Sequence, residues 1–376
     1  MLPIDWRVWA IGAPLASIVA ASLFWASYGE RPKSTDRGYL FHDVHFHLTN
    51  YIQEGTDVRD YLAIMGDKVG RSTLFGIPLQ QMWSYENSGD FAPTYYLQTD
   101  APLYYYSFTD AMIAKAYLSL PPDERRRLDP MITGFNPADM YGVDHIRRVL
   151  EIYPGVFTGI GEFTIHKEFV SSKVAGKVAS LRNPALDRIL EFASDVGLVV
   201  LMHCDIDMPF AKKDAEPVYL AQMRALLRRH PKATIIWAHM GLGRVVHPVA
   251  GQGTTATRGR SQGHIDVIVD LLQDPTLRNL YFDISWDEVA KYAITSPEIE
   301  KRVAALFDKY PTRFLFGTDN VAPPDQETNL RTFHLWDRIF AQVKPETSLA
   351  IRKNNYERLF DDARVRVRAW EKANVK

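Results

Sequence analysis

From residue 39 onward, short apolar runs recur along the chain, separated by longer amphipathic stretches. The runs are YLFHDVHFH (39–47), STLFGI (72–77), MITGFN (131–136), VFTGIGEF (156–163), GLVVLMHC (197–204), ATIIWAH (233–239), NLYFDISW (279–286) and RFLFGTD (313–319). Most are continuously apolar, as strands covered on both faces must be. The stretches between them read as helices. PALDRILEFASDVG stops at Gly197 and EPVYLAQMRALLRRHP at Pro231, residues that end helices. Alternating strand and helix predicts an α/β fold with parallel strands, and eight repeats predict a closed (β/α)8 TIM barrel.

Two long interruptions follow predicted strand ends, at 78–110 and 241–264. A barrel builds its active site at the C-terminal ends of its strands. Loops of that length inside a compact domain are usually functional or mobile.

The N-terminus has a different pattern. Between Arg7 and Glu30 lie 22 uncharged residues. As a helix rising about 1.5 Å per residue they match a hydrocarbon core of roughly 30 Å. Trp9, Trp25 and Tyr28 sit near the ends, where interfacial aromatics belong. Residues 1–29 are therefore expected to form a transmembrane helix, as a membrane anchor or signal segment, with a barrel-packing helix as the plain alternative. Residues 30–38 read as a linker and 39–376 as the barrel. Arg31, Lys33 and Arg37 after the segment favour a cytoplasmic domain, whereas its signal-like position favours export. The expected localisation is membrane-anchored or exported.

Composition narrows the chemistry. Hydrophobic residues make up 46% of the 376 and charged residues 24%, as in globular proteins. A net charge of -1 gives no electrostatic case for nucleic acid. Cys204 is the sole cysteine, so a metal would have to be held by His, Asp or Glu.

Polar residues interrupt the apolar runs mainly at their C-terminal ends. His45 and His47, two apart, share one strand face. Glu162, His203, His239 and Asp319 close the fourth, fifth, sixth and eighth strands. Each has a bland reading alone: HxH arises by chance, a single histidine is often structural, and Glu162 or Asp319 could cap a turn. Together they would converge on one mouth, where burial without a metal would cost several kcal/mol. Imidazole and carboxylate suit Zn²⁺ first, with Mn²⁺ or Fe²⁺ as alternatives.

This ordered set, with DVHFH, GIGE, VLMHC, WAHMGLG, FLFGTDN and NNYERLF (354–360), resembles the amidohydrolase superfamily over roughly residues 40–360. The most similar branch is amidohydrolase-2, which includes decarboxylases related to aminocarboxymuconate-semialdehyde decarboxylase. The resemblance implies that His45, His47, His203 and Asp319 ligate a divalent metal. It makes His239 an acid/base or a ligand of a second ion, and Asp319 the acceptor of a water proton. Single-metal members often lack a ligand on strand four, whereas two-metal members carry a carboxylated lysine or a glutamate there. Glu162 thus leaves one or two ions open. The implied activity is hydrolysis of a C–O or C–N bond in a small lactone, ester or amide. The alternative is non-oxidative decarboxylation of an aromatic or unsaturated acid. Phosphoester hydrolysis and a non-catalytic metal-binding module are more distant readings.

Around the mouth, Trp286, Asn320 and Trp83 are the expected substrate contacts. Trp83 opens an aromatic insertion that reads as a lid or as the subunit interface of a homodimer. His166 and Lys167, like Arg244 and His247, are placed to meet an anion. Cys204 should point away from His203, into the core. His42, His145, His230, His264 and His334 read as structural or surface residues.

Overall fold

The computed structural model describes residues 38–50, 54–77, 108–167, 180–208, 216–244, 246–249 and 263–376. It also gives two short strand pairs, Leu79–Gln80 with Tyr104–Tyr105 and Met82–Trp83 with Leu97–Gln98. Among the described residues no helix is long and apolar enough to cross a membrane. The apolar segment of residues 8–29, on which the anchor expectation rests, lies outside the described residues. So do most of the aromatic insertion and the side chain of Trp83.

Eight parallel strands pair in chain order. They are β1 (Phe41–Asp43), β2 (Val69–Leu74), β3 (Leu128–Ile132), β4 (Gly159–His166), β5 (Val199–Cys204), β6 (Thr234–Trp237), β7 (Leu280–Asp283) and β8 (Phe314–Leu315). Each is followed by a helix: α1 (Val58–Met65), α2 (Phe108–Leu118), α3 (Gly142–Ile152), α4 (Pro184–Val196), α5 (Leu220–Arg229), α6 (His264–Gln273), α7 (Pro297–Lys309) and α8 (Gln326–Leu335). A long C-terminal helix, α9 (Asn355–Asn374), completes the chain. This is the arrangement of a (β/α)8 barrel.

The first predicted run is not one strand. It leaves the main sheet after Asp43, and Phe46–His47 pairs in parallel with Asn320–Val321 beyond β8. Val44 N–H donates to Phe316 O (3.1 Å) and Asp319 N–H to His45 O (2.8 Å), so the last strand's extension meets the first. Those hydrogen bonds place His45, His47 and Asp319 side by side.

Side-chain alternation sorts the strand residues between two cores. On β5, Val199 and Leu201 join the cluster inside the barrel, while Val200, Met202 and Cys204 join the layer under the helices. His203 follows the inward parity. Cys204 is buried outward, as expected, and burial pushes its thiol pKa well up. Tyr356, Leu359 and Phe360 of the NNYERLF stretch, on α9, belong to the inner cluster with Val44, Met131 and Leu315. Local signals set the helix ends. Asn183 caps α4 by accepting from Ala185 N–H, and Gly197 ends it in the left-handed conformation at φ 91°.

One glycine is required at the site itself. Gly161 has φ 116°, and a Cβ there would lie 2.0 Å from Leu201 O. Only a residue without a side chain lets β4 run this close to β5 just before Glu162.

Candidate metal centre

Six expected residues come together at the C-terminal ends of the strands. His45 Nε2 lies 3.5 Å from Glu162 Oε2 and 3.2 Å from Asp319 Oδ1. His47 Nε2 lies 3.5 Å from the same glutamate oxygen and 3.3 Å from the same aspartate oxygen. Donors about 2.1 Å from a common ion would be separated by roughly 3.0–3.4 Å in tetrahedral or octahedral geometry. The other glutamate oxygen serves a second group. Glu162 Oε1 lies 2.7 Å from His203 Nδ1 and 3.6 Å from His239 Nε2.

A ring of outer partners fixes which nitrogen of each imidazole faces inward. His45 Nδ1–H donates to Asp283 Oδ2 (2.9 Å), which leaves Nε2 turned to the cluster, buried and without a hydrogen-bond partner. Ser285 Oγ–H donates to Asp283 Oδ1 (2.6 Å), so its oxygen accepts from His239 Nδ1–H (2.9 Å). His239 Nε2 is thereby left as a lone pair facing Glu162. His203 Nε2–H donates to Asp205 Oδ1 (2.9 Å), which presents Nδ1 to the cluster. Carboxylate and hydroxyl partners of this kind orient metal-binding histidines and raise their basicity.

Asp283 is the hub. It is fully buried and also accepts from the backbone N–H of His239 (2.8 Å) and Ser285 (3.1 Å). Asp43, also fully buried, accepts from Thr318 Oγ1–H (2.6 Å), Thr318 N–H (2.9 Å) and His45 N–H (3.1 Å). Burial pushes its carboxyl up to about 6 against those hydrogen bonds.

The electrostatics call for a cation. Burial works against a charged His45, yet Glu162, Asp319 and Asp283 outweigh it and hold its pKa well above the usual imidazole value. Burial likewise opposes ionised Glu162, but Lys167, His45 and the facing rings of His203 and His239 keep its pKa well below the ordinary value. Asp319 is also held low, with His45, His239 and His47 overcoming burial. His47 differs: burial lowers its pKa more than Asp319 and Glu162 raise it. A concentrated carboxylate charge binds either protons or a metal ion. Inward lone pairs, matched spacings and unpartnered nitrogens fit a divalent ion with N and O ligands.

Backbone strain concentrates here. His239 (φ 55°), Met240 (φ 53°), Trp286 (φ 75°) and Asp319 (φ 58°) all adopt the left-handed region, at about 1–3 kcal/mol each for non-glycine residues. His264 Nε2–H donates to Met240 O (3.0 Å), which braces the turn that presents His239.

The remaining expected residues divide. The Trp286 ring sits 5.3 Å from that of His239, at the rim, with the Arg244 guanidinium 5.6 Å from the Trp286 ring. Asn320 turns to α8 instead: its amide donates to Asn329 O and Oδ1, both at 3.0 Å. His166 ends β4 with its ring stacked on Tyr219 at 3.7 Å. It is 7% exposed, neither ring nitrogen has a partner among the described residues, and burial lowers its pKa to about 4.

Sequence reading missed Asp205, Asp283 and Ser285 as supporting residues. A signal existed for two of them. Asp205 lies two residues after His203, and Asp283 is a lone acid inside an apolar run. The supporting role itself is testable. Asp283→Asn should weaken metal affinity about 10–100-fold, read by competition with a chelator of known affinity; unchanged affinity would remove Asp283 from the supporting ring.

The solved structures that resemble the chain share little sequence with it. An uncharacterized TIM-barrel protein from Bordetella bronchiseptica is 15% identical, covering 86% of this chain and 99% of its own, with a TM-score of 0.50. Dihydroorotase from Campylobacter jejuni is 15% identical, with coverage of 85% and 83% and a TM-score of 0.49. The 5-carboxyvanillate decarboxylase of Sphingomonas paucimobilis is 12% identical, with coverage of 80% and 82% and a TM-score of 0.41. No curated protein sequence matches. The amidohydrolase family profile matches residues 43–361, a span that runs from just before the His45–His47 pair to α9. With barrel, ordered strand-end residues and profile in agreement, the chain belongs to the amidohydrolase family.

Proposed function

We propose that the protein is a metal-dependent hydrolase that cleaves a C–O or C–N bond in a small lactone, ester or amide, with Glu162 set between two groups of residues that would each hold a divalent ion. The observation that carries this reading is the division of Glu162. One carboxylate oxygen faces His45, His47 and Asp319, and the other faces His203 and His239. In that arrangement His45, His47 and Asp319 would hold one ion and His203 and His239 the other, and Zn²⁺ would suit the donor set best. Bound ions would supply Lewis acidity and make water acidic enough to attack near neutral pH.

The chain's own residues do the rest. Asp319 is ionised and its side chain is 18% exposed, the most open of the cluster carboxylates. It accepts the proton of the attacking water and returns it to the leaving group. His239 is braced by Ser285 and the strained turn with Nε2 toward the cluster, where it would serve as a ligand of the second ion. Trp286 forms an apolar wall beside it. His166 presents two unpartnered nitrogens to a polar substituent of the substrate. His166→Phe, which keeps the stack on Tyr219, should raise KM about tenfold with kcat within about twofold. Steady-state kinetics on the best substrate would decide it, and equal KM values would remove His166 from the substrate site.

A second reading is non-oxidative decarboxylation of an aromatic or unsaturated acid. Two cations favour it: Arg244 stands over Trp286, and the Lys167 ammonium acts on both Glu162 and His203. Either could hold a carboxylate. The deciding experiment pairs metal analysis with two assays: proton release on a panel of lactones, esters and amides, and carbon dioxide release on a panel of benzoates. Two ions per chain and turnover in the first panel alone support hydrolysis. Turnover in the second alone overturns it in favour of the lyase.

The uncharged segment of residues 8–29 is proposed to tether the barrel to a membrane. Phase partitioning of the full chain against one starting at residue 30 tests this, and equal partitioning would reject it.

A further inference from the structure

We propose that the opposite end of the barrel carries a binding site for a phosphate-bearing dianion. A cleft of about 200 Å³ is lined there by Arg125, Arg126, Arg364 and Arg368, with Tyr117 and Gly155 completing the wall. Arg125 and Arg126 directly precede β3, and Gly155 precedes β4. The cleft therefore lies at the N-terminal ends of the strands, away from the metal centre at their C-terminal ends.

Charge bookkeeping shows why the fold alone does not account for these residues. Arg364 donates to Asp129 Oδ1 (2.5 Å) and Arg368 to Glu371 Oε1 (2.6 Å). Asp129 is shared with Arg71, which also pairs with Asp361 (2.7 Å). Five guanidiniums thus face three carboxylates, leaving two positive charges. Arg125 has no acidic partner among the described residues. Its donors go to the carbonyls of Leu118 (2.5 Å) and Leu120 (2.6 Å), and its guanidinium lies 5.7 Å from the Tyr117 ring centre. Those bonds fix its orientation without neutralising it. Arg126 is exposed and makes no ion pair among the described residues.

An unbalanced guanidinium cluster repels itself, and a dianion relieves the repulsion. Arg126 would offer its guanidinium fork, two N–H groups to a pair of phosphate oxygens, while Arg125, whose Nε and Nη2 are engaged by carbonyls, contributes charge. A monocarboxylate would leave one charge unmatched.

The phosphate could belong to a soluble molecule or to a lipid headgroup. The test uses the full chain in two arms. Inorganic phosphate and pyrophosphate are titrated calorimetrically, and binding is measured to phosphatidylcholine vesicles with and without a minor fraction of phosphatidic acid. Arg126→Glu, at an exposed position, is expected to weaken the phosphate-dependent binding about tenfold. Asp319→Asn, which alters the metal centre, is expected to leave the Arg126-dependent component unchanged. A loss confined to the soluble arm assigns a soluble phosphate ligand, and a loss confined to the phosphatidic acid vesicles assigns a headgroup. Equal binding by wild type and Arg126→Glu in both arms overturns the proposal. If Arg126→Glu lowers the thermal midpoint, Arg126→Ala replaces it with the same expected direction. The outcome is independent of whether the metal centre hydrolyses or decarboxylates.

Discussion

Glu162→Gln should lower hydrolytic turnover by about three orders of magnitude, the scale on which Lewis-acid and general-base contributions fail together. The same variant should lose more than half of its bound metal. The reason lies in the geometry. Glu162 is the one side chain whose two oxygens face both imidazole groups, at 3.5 Å to His45 and His47 and at 2.7 and 3.6 Å to His203 and His239. An amide has one oxygen and no charge, so it can serve one group at most. Losing the negative charge also removes a carboxylate that attracts any cation held among His45, His47, His203 and His239. Metal analysis and kinetics on the same preparation test this. A variant that keeps two ions per chain would show that Glu162 does not bridge them.

The second large effect concerns stability. Asp129→Asn should destabilise the fold by about 3–5 kcal/mol, the usual cost of breaking a buried ion pair from one side. Asp129 is fully buried at the start of β3. Its carboxylate accepts from Arg71 (2.9 Å), Arg364 (2.5 Å) and Tyr356 Oη–H (2.9 Å), which ties α9 to the barrel wall. Burial alone would raise its pKa, but Arg71, Arg364 and the hydrogen bonds hold it below the ordinary carboxylate range. A depressed folded-state pKa stabilises the fold above the unfolded pKa near about 3.9, and that stability is lost as pH falls through the lower folded value. The gap between wild type and Asp129→Asn should therefore be full at neutral pH and shrink below about pH 4. Urea unfolding at neutral and acidic pH measures both. A gap that does not change with pH would mean the ion pairs are not its source.

The sequence was most informative where periodicity and chemistry coincide. Continuous apolar runs marked all eight strands, because parallel strands are buried on both faces, although the third strand, Leu128–Ile132, meets its run of 131–136 only at its end and the first run divides after Asp43. A spacing of two placed His45 and His47 on one face, and the inward parity of His203 followed from β5. Residue type alone limited the candidate ligands to imidazole and carboxylate, since Cys204 stands alone.

Other features needed the folded chain. Closure between the first and last strands depends on Phe46–His47 leaving the main sheet to pair with Asn320–Val321, a register that no local pattern encodes. The left-handed turns at His239 and Asp319 contradict local preference and persist only because packing and hydrogen bonds such as His264 to Met240 O hold them. Asn320, beside Asp319 in GTDN, was a plain candidate for substrate contact, yet Asn329 on α8 engages its amide. Asp283 supports His45 and His239 from strand seven, more than 40 residues from either. Strand patterns thus named the donors, since side-chain direction along a strand is local. Which oxygen of Glu162 meets which imidazole was decided only by the closed barrel, which brings distant strand ends within hydrogen-bond reach.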